Sequence, residues 1–323
     1  MSDKVHSVSE TLCRKSSRKH EKLIQLGLFT CALISVLTTA AIMLVLFMNS
    51  VWFPGENKAF FEYEEVHATE FATGTHWNPR LGDDGHFGIL PLLNGTMIVA
   101  LIAVLFSVPV GLCSAVYLSE YARPTERALL KPVLEVLAGI PTVIYGFFGL
   151  RFITPYVIRP LFEDLLGIPV GPYNVLSAGL VVGIMVTPMI ASLSEDVIRS
   201  VPRSLREAGY ALGATRFDVS ARIVVPAALS GILAACLLAF ARAIGETMAV
   251  TIAGGNQVTF SGNPLEPMRT MTAYMVAQSI NADNNDPLQA KSVFAVGMAL
   301  FAVTLLINLG SQWIMRRFRE VYQ

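Results

Sequence analysis

Charged residues and paired cysteine motifs are both scarce in this sequence. Aspartate, glutamate, lysine and arginine make up 15% of its 323 residues, whereas 53% are hydrophobic. This balance excludes an ordinary soluble domain and is typical of a protein that lies in lipid. The formal net charge is zero, so charge gives no reason to expect a nucleic-acid partner. The four cysteines lack CxxC spacing and histidines placed for a metal; we interpret them as packing residues and predict no metal site.

A phosphate-binding loop is also missing. The pattern GxxxxGK followed by serine or threonine occurs nowhere in the chain. We therefore predict that the chain does not bind ATP through a P-loop. We also predict no catalytic residues and no covalent chemistry, so the chain is not expected to be an enzyme.

Long, mostly apolar runs predict six membrane-spanning helices. A bilayer core of about 30 Å needs about 20 helical residues, and each run is long enough. The predicted spans are 23–48, 88–118, 132–153, 172–193, 226–254 and 292–315. Pro109 and Gly111 are expected to break the second span, and Pro141 with its neighbouring glycines is expected to kink or loosen the third. The sequence therefore predicts an all-α polytopic membrane protein.

The distribution of basic residues predicts the orientation of these spans. Most of the 24 lysines and arginines lie in the segments assigned to the inner side, which by the positive-inside rule places both termini in the cytoplasm. The predicted organisation is a cytoplasmic tail (1–22), the first span, an outer segment (49–87), a core of five spans (88–315) and a second cytoplasmic tail (316–323). The core includes an inner loop at 194–225.

The most specific pattern lies in this inner loop and at its end. It reads E-A-G-x3-G-x9-I-x-V-P and is formed by Glu207, Ala208, Gly209, Gly213, Ile223, Val225 and Pro226. The pattern resembles the EAA motif of permease subunits of bacterial ABC importers. This resemblance implies a short cytoplasmic coupling helix that fits a cleft on a separate ATPase subunit.

The residue types around the motif suit such a contact. Alanines and glycines give a slim surface that another protein can approach closely, and the nearby charges can form ion pairs at its rim. The predicted ATPase-docking residues are Arg206, Glu207, Ala208, Gly209, Gly213, Arg216 and Pro226. The alternative interpretation is an ordinary basic loop between two spans.

Two further stretches narrow the resemblance. They are GIPTVIYGFFGL at 139–150 and RAIGETMAV at 242–250, and with the EAA motif they resemble the PstC-type permease subunits of phosphate-specific ABC importers, from about residue 88 to the C-terminus. The resemblance implies a MetI-like permease bundle in the bacterial inner membrane. It also implies a paralogous PstA-like permease subunit, a PstB-like ATPase homodimer that binds ATP and magnesium, a periplasmic PstS-like phosphate-binding protein, and no cofactor in this chain.

Arg242 is the central candidate for the path of the substrate. It lies near the middle of the predicted span 226–254, where an unpaired charge costs about 2.5–3.5 kcal/mol. Glu246 follows by four residues and is expected to lie on the same helical face, close enough to pair. In the functional interpretation Arg242 offers its donor fork to passing phosphate oxygens. The alternative is a buried ion pair that only fixes helix packing.

Four other residues complete the predicted path: Thr247, Pro141, Thr142 and Tyr145. For the last three, the alternative is a proline kink with a hydrogen-bonded tyrosine. The predicted mechanism is alternating access driven by the separate ATPase. Two other functions remain open, a permease for another oxyanion such as sulfate or molybdate, and a secondary proton-coupled phosphate carrier in which Glu246 titrates.

Overall fold

The computed structural model is built almost entirely of helices, which confirms the predicted all-α class. It describes residues 18–52, 58–64, 66–79, 85–280 and 287–318. Most of the predicted tail 1–22 and most of the tail 316–323 lie outside the described residues. The helices in chain order are α1 (Arg18–Ser50), α2 (Ala68–Thr73), α3 (Leu90–Val116), α4 (Pro124–Ala138), α5 (Thr142–Phe148), α6 (Val175–Ser200), α7 (Arg203–Ala211), α8 (Arg216–Val219), α9 (Val225–Ala227), α10 (Leu229–Ile244), α11 (Met248–Ala253), α12 (Met271–Ile280) and α13 (Pro287–Phe318).

Shorter elements extend or join these helices. π-Helical segments continue α3 (Tyr117–Tyr121) and α5 (Gly149–Ile158 and Pro160–Asp164), and one joins α8 to α9 (Ser220–Val224). On the predicted outer side there is a 3-10 turn (Phe60–Glu62) and a two-stranded antiparallel sheet of β1 (Trp77–Asn78) and β2 (His86–Phe87). The sequence did not predict this small sheet.

Four helices among the described residues are long and apolar enough to cross a membrane: α1, α3, α6 and α13. Two bent pairs of helices raise the number to six if each pair is counted as one span. The first pair, 124–138 and 142–164, is bent by 90°, and the second, 216–227 and 229–244, is bent by 70°. None of the apolar window of α1 is buried inside the protein, so its surface suits contact with lipid.

The expected break in the second span is wrong. Helix α3 continues through Pro109 and Gly111 without interruption. Gly111 instead lets α6 approach, because a Cβ atom there would lie 2.8 Å from Cγ2 of Ile190. Gly179 of α6 does the same, since its Cβ atom would lie 2.6 Å from Cβ of Ile102. These small residues allow the close parallel pair of α3 and α6 at the centre of the bundle.

The third predicted span is kinked as expected, and it is longer than 132–153. The chain bends by 90° between α4 and α5, which confirms the kink predicted near Pro141, and it continues helically to Asp164. Pro141 accounts for the bend, since it has no N–H and disfavours helix at the residue before it. The hydroxyl of Tyr145 donates a hydrogen bond to the carbonyl of Leu137 at 2.8 Å, which satisfies one carbonyl at the end of α4.

The fifth predicted span is also interrupted. Helix α10 ends at Ile244 and α11 begins at Met248, so the continuous helix expected over 226–254 is wrong. Gly245 lowers the helical preference at this point. The carboxylate of Glu246 then accepts a hydrogen bond from the N–H of Ala249 at 3.3 Å, which is a local alternative to continued helix.

An aromatic cluster fixes the outer ends of several helices. Trp77 packs edge-to-face on Tyr274 of α12 with ring centroids 5.2 Å apart, and Phe87 packs in the same way on Phe60 at 5.7 Å. The hydroxyls of Tyr274 and Ser292 of α13 lie 2.6 Å apart and share a hydrogen bond. Burial raises the pKa of Tyr274 to about 12. The outer segment is therefore packed onto α12 and α13.

Candidate functional site

Contacts between helices fix the depth of Arg242. Gly231 of α10 lies against the side chain of Val197 near the inner end of α6, and Gly254 lies against Ala178 near its outer end. These two levels are about 28 Å apart at about 1.5 Å per helical residue. Arg242 follows Gly231 by about 16 Å on the same scale. It therefore lies near the middle of the bundle.

The side chain of Arg242 lies on an exposed face of α10. Leu238 and Gly245 are exposed on the same face, whereas Ala239 and Ala243 are buried against the rest of the chain. A charge at mid-membrane depth is costly against hydrocarbon. This face of α10 therefore suits an aqueous path or a second subunit better than lipid.

The predicted ion pair between Arg242 and Glu246 is not formed. Within the described part of the chain, no carboxylate lies within 4 Å of the Arg242 guanidinium. Glu246 is 8% exposed; its carboxylate caps α11, and its carbonyl accepts a hydrogen bond from the hydroxyl of Thr272 at 2.8 Å. The interruption after Ile244 is the reason, because it removes the continuous helix on which the pairing depended.

The two predicted parts of the path are neighbours in the structure. A Cβ atom at Gly146 of α5 would lie 3.0 Å from Cα of Ala249 in α11, so the interruption at 245–247 lies close to the bend at 139–141. Pro141 is exposed, and Thr142 and Thr247 are half-buried. Tyr145 is buried with its hydroxyl engaged within the chain, which favours the structural interpretation of that residue.

The EAA segment folds as a helix, a turn and a second helix. Gly213 has a φ of +80°, a left-handed conformation that glycine adopts without penalty. Thr215 then caps α8 by accepting the N–H of Asp218 at 3.2 Å. Gly209 is buried, and a Cβ atom there would lie 2.7 Å from Cδ1 of Ile223. The motif residues Gly209 and Ile223 therefore pack α7 against the helix that follows.

The remaining docking residues lie on the inner surface. Glu207, Ala208, Gly213, Arg216 and Pro226 are all exposed. Two large apolar side chains that the sequence interpretation missed lie among them, Leu212 at 90% exposure and Phe217 at 69%. Exposed apolar clusters mark protein contacts. Large apolar residues in an otherwise charged inner loop were the sequence feature that could have identified this surface.

Arg206 has a different role from the one predicted. Its guanidinium pairs with Glu120 at 2.9 Å and donates to the carbonyls of Ile198 at 2.8 Å and Val201 at 2.6 Å. The side chain is only 17% exposed. Because these bonds are within the chain, Arg206 fixes α7 to the inner ends of α3 and α6. In this structure its guanidinium is therefore not one of the ion-pairing groups expected at the rim of the docking surface.

A buried carboxylate joins α4 to α6. Glu195 is fully buried and lies 2.6 Å from Arg127 and 2.8 Å from Lys131. Lys131 also pairs with Asp196 at 2.5 Å. Sequence interpretation missed this cluster, because Arg127 and Lys131 were placed in a loop. The ion pairs tie the α4 helix to the inner end of the central helix pair.

Comparison with known proteins adds the family. Residues 107–320 match the family model described as binding-protein-dependent transport system inner membrane component. The chain is 30% identical over 315 residues to the probable ABC transporter permease protein YqgH of Bacillus subtilis, with 96% of each chain covered. It is 34% identical over 256 residues to the phosphate transport system permease protein PstC of Xylella fastidiosa, which covers 75% of this chain and 77% of that protein.

Solved structures support the same fold. A bacterial ABC transporter involved in the import of the acidic polysaccharide alginate matches 94% of this chain and 100% of its own with a TM-score of 0.58 at 14% identity. The inward-facing MetNI methionine ABC transporter matches 72% of this chain and 95% of its own with a TM-score of 0.51 at 17% identity. At these identities the likeness concerns the fold alone.

Proposed function

The chain belongs to the family of binding-protein-dependent transport system inner membrane components, and we propose that it serves as one membrane-spanning half of an ATP-driven phosphate importer. It is an ABC transporter permease subunit with several apolar helices. Phosphate is proposed because relatives covering about three quarters of the chain are named PstC phosphate permeases. We place the chain in a bacterial inner membrane as a multi-pass protein.

The exposed arginine at mid-depth carries the proposal. Arg242 has no carboxylate within 4 Å among the described residues, so its donors are available to an anion. A guanidinium matches the oxygens of phosphate with two parallel hydrogen bonds. Glu246, Thr247, Pro141 and Thr142 lie in the adjoining segments and are proposed to shape the same path.

Glu246 is proposed to limit how tightly the anion is held. A carboxylate near Arg242 opposes permanent occupation by an anion, which favours release to the cytoplasm. The carboxylate also accepts hydrogen bonds, which hydrogenphosphate can donate through P–OH and sulfate at neutral pH cannot. We therefore propose that Glu246 contributes to the selection of phosphate over sulfate.

Motion is proposed to enter through α7 and α8. The exposed Leu212 and Phe217 suit a hydrophobic groove on an ATPase subunit. From there Arg206 connects to Glu120 of the α3 extension, and Glu195 connects α6 to α4. ATP-driven closure of two ATPase subunits would move these inner ends and change access to the path in alternation.

The proposed assembly has four kinds of component. This chain would pair with a PstA-like permease subunit and receive phosphate from a periplasmic PstS-like protein. A PstB-like ATPase homodimer would bind ATP and magnesium, and this chain would carry no cofactor of its own. The exposed face of α10 with Arg242 is proposed to face the paired permease subunit.

The test compares Arg242→Gln with wild type in the complete complex in proteoliposomes. We expect ATP-driven phosphate uptake to fall at least about tenfold, since a charge-assisted hydrogen bond contributes about 1.5–3 kcal/mol, while ATPase activity stimulated by the binding protein remains. Leu238→Ala on the same helix face is the matched control and should keep uptake. Undiminished uptake in Arg242→Gln would contradict the proposed path.

Two other outcomes would redirect the proposal. Sulfate or molybdate that outcompetes phosphate would identify another oxyanion as substrate. Uptake by the permease subunits without the ATPase would favour a secondary, proton-coupled carrier.

A further inference from the structure

A cleft lies on the inner side of the protein beside α7. Its volume is about 510 Å³, and it is bounded by the end of α3, the start of α4 and the α6–α7 junction. Sites for small molecules fall in this range of size. Its polar lining includes Glu120, Arg127, Arg199, Arg203, Arg206 and Glu207. It is separate from the path around Arg242.

Two of the four arginines in the cleft are held by close carboxylates. Arg206 pairs with Glu120 at 2.9 Å, and Arg127 pairs with Glu195 at 2.6 Å. These pairs fix Arg206 and Arg127 in the lining, because each pair joins two different helical segments. The side chains that form it are therefore already positioned before any ligand binds.

The other two arginines keep most of their donors. Arg199 approaches Glu195 only to 3.7 Å, and Arg203 makes no ion pair within the described ranges of the chain. Each guanidinium carries five N–H donors. Two partly free guanidinium groups in the lining of a concave site favour an oxyanion as ligand.

Arg199 and Arg203 lie on either side of the junction between α6 and α7, so a ligand bound by both could affect the movement of α7. Arg199 belongs to the last turn of α6, Arg203 begins α7, and the two helices are joined through Val201 and Pro202. An anion bound by both arginines would bridge this junction. It would add to the bonds that Arg206 already makes across it and would restrain α7 further.

We propose that the cleft binds a phosphate group between Arg199 and Arg203, and that its occupancy slows ATP-driven cycling by restraining α7. The inference rests on the proposed function in one respect, that α7 contacts the ATPase. The phosphate group has two sources on this side of the membrane, free inorganic phosphate and the headgroup of an anionic lipid, and both offer the same oxygens. The carboxylates of Glu120 and Glu207 in the lining keep binding reversible.

The experiment uses the assembled complex in nanodiscs made of phosphatidylcholine, without binding protein. Inorganic phosphate is titrated while ATP hydrolysis is followed through ADP release. We expect phosphate to lower the hydrolysis rate of wild type. In the double variant Arg199→Gln/Arg203→Gln the half-inhibitory concentration should rise at least about tenfold, as expected when charge-assisted hydrogen bonds are removed. A second arm replaces added phosphate with phosphatidylglycerol in the disc to test the lipid source.

Two variants serve as controls. Arg222→Gln removes an exposed arginine of the same inner segment that does not line the cleft, and it should respond like wild type. The pair Arg199→Lys/Arg203→Lys keeps the charge and should fall between wild type and the glutamine pair, which separates loss of the site from loss of assembly.

Several outcomes would overturn the inference. It fails if neither phosphate nor phosphatidylglycerol changes hydrolysis by wild type. It also fails if the glutamine pair is inhibited as strongly as wild type, or if Arg222→Gln loses inhibition as the glutamine pair does. It also fails if the glutamine pair no longer associates with the ATPase while the lysine pair does, because the arginines would then serve subunit docking. Phosphate uptake by wild type reports separately on the proposed function, so the two can fail independently.

Discussion

Gly213 offers a sharp test of how the inner turn is built. Its φ of +80° is left-handed, and a Cβ atom added there would meet nothing within 4 Å. Gly213→Ala therefore introduces backbone strain without a clash inside the chain. A left-handed conformation costs about 1–2 kcal/mol for an L-residue, which lowers the population of this turn by about five- to thirtyfold.

The assay is the affinity of the purified ATPase for the paired permease subunits in nanodiscs. If docking requires this turn, Gly213→Ala should weaken the affinity by about five- to thirtyfold. Asparagine adopts left-handed conformations more readily than other residues, so Gly213→Asn should lose less. Alanine binding as tightly as glycine would refute the role of backbone strain. Equal losses with alanine and asparagine would instead indicate a clash with the partner.

Three further predictions concern the buried and path residues. Glu195→Gln should lower the free energy of unfolding by about 3 kcal/mol, because it removes the buried carboxylate that two half-buried cations share. Thermal unfolding of the purified subunit measures this, and exposed Asp196→Asn should stay within about 1 kcal/mol of wild type. Tyr145→Phe should lose about 1 kcal/mol of stability, because it removes the hydrogen bond to Leu137, and it should keep its uptake rate. Lost uptake at unchanged stability would instead indicate that the hydroxyl takes part in the substrate path. Glu246→Gln should admit sulfate as a competitor in uptake assays, and continued rejection of sulfate would remove Glu246 from selectivity.

The sequence predicted the helical class and the general positions of the apolar segments well. Hydrophobic length is a local property, so α1, α6 and α13 could be identified from runs of apolar residues alone. Breaks within those runs were harder, because proline and glycine act differently in different surroundings. Pro109 is accommodated within α3, whereas Pro141 bends the chain by 90°. Only the packing of neighbouring helices distinguishes the two cases.

The candidate site was predicted as residues but not as contacts. The spacing of Arg242 and Glu246 predicts a pair only on a continuous helix, and the interruption at Gly245 removes that condition. Arg206 was recognised as part of the motif, but its partner Glu120 lies far away in sequence. Long-range pairs of this kind, like those of Glu195, have no periodic signal that a single sequence displays.

The aromatic cluster of Trp77 and Tyr274 has a mechanical consequence. Apolar packing and hydrogen bonds hold the outer ends together, including that of Met268 N–H to the carbonyl of Gly254 beyond α11. If this end stays fixed, movement of the inner ends becomes a tilt about an outer pivot. Arg242 lies about half-way along the lever, so it would travel about half the distance moved by the inner surface. A displacement of the inner turn would then move the guanidinium by a fixed fraction of that displacement, and the depth of Arg242 alone sets the fraction.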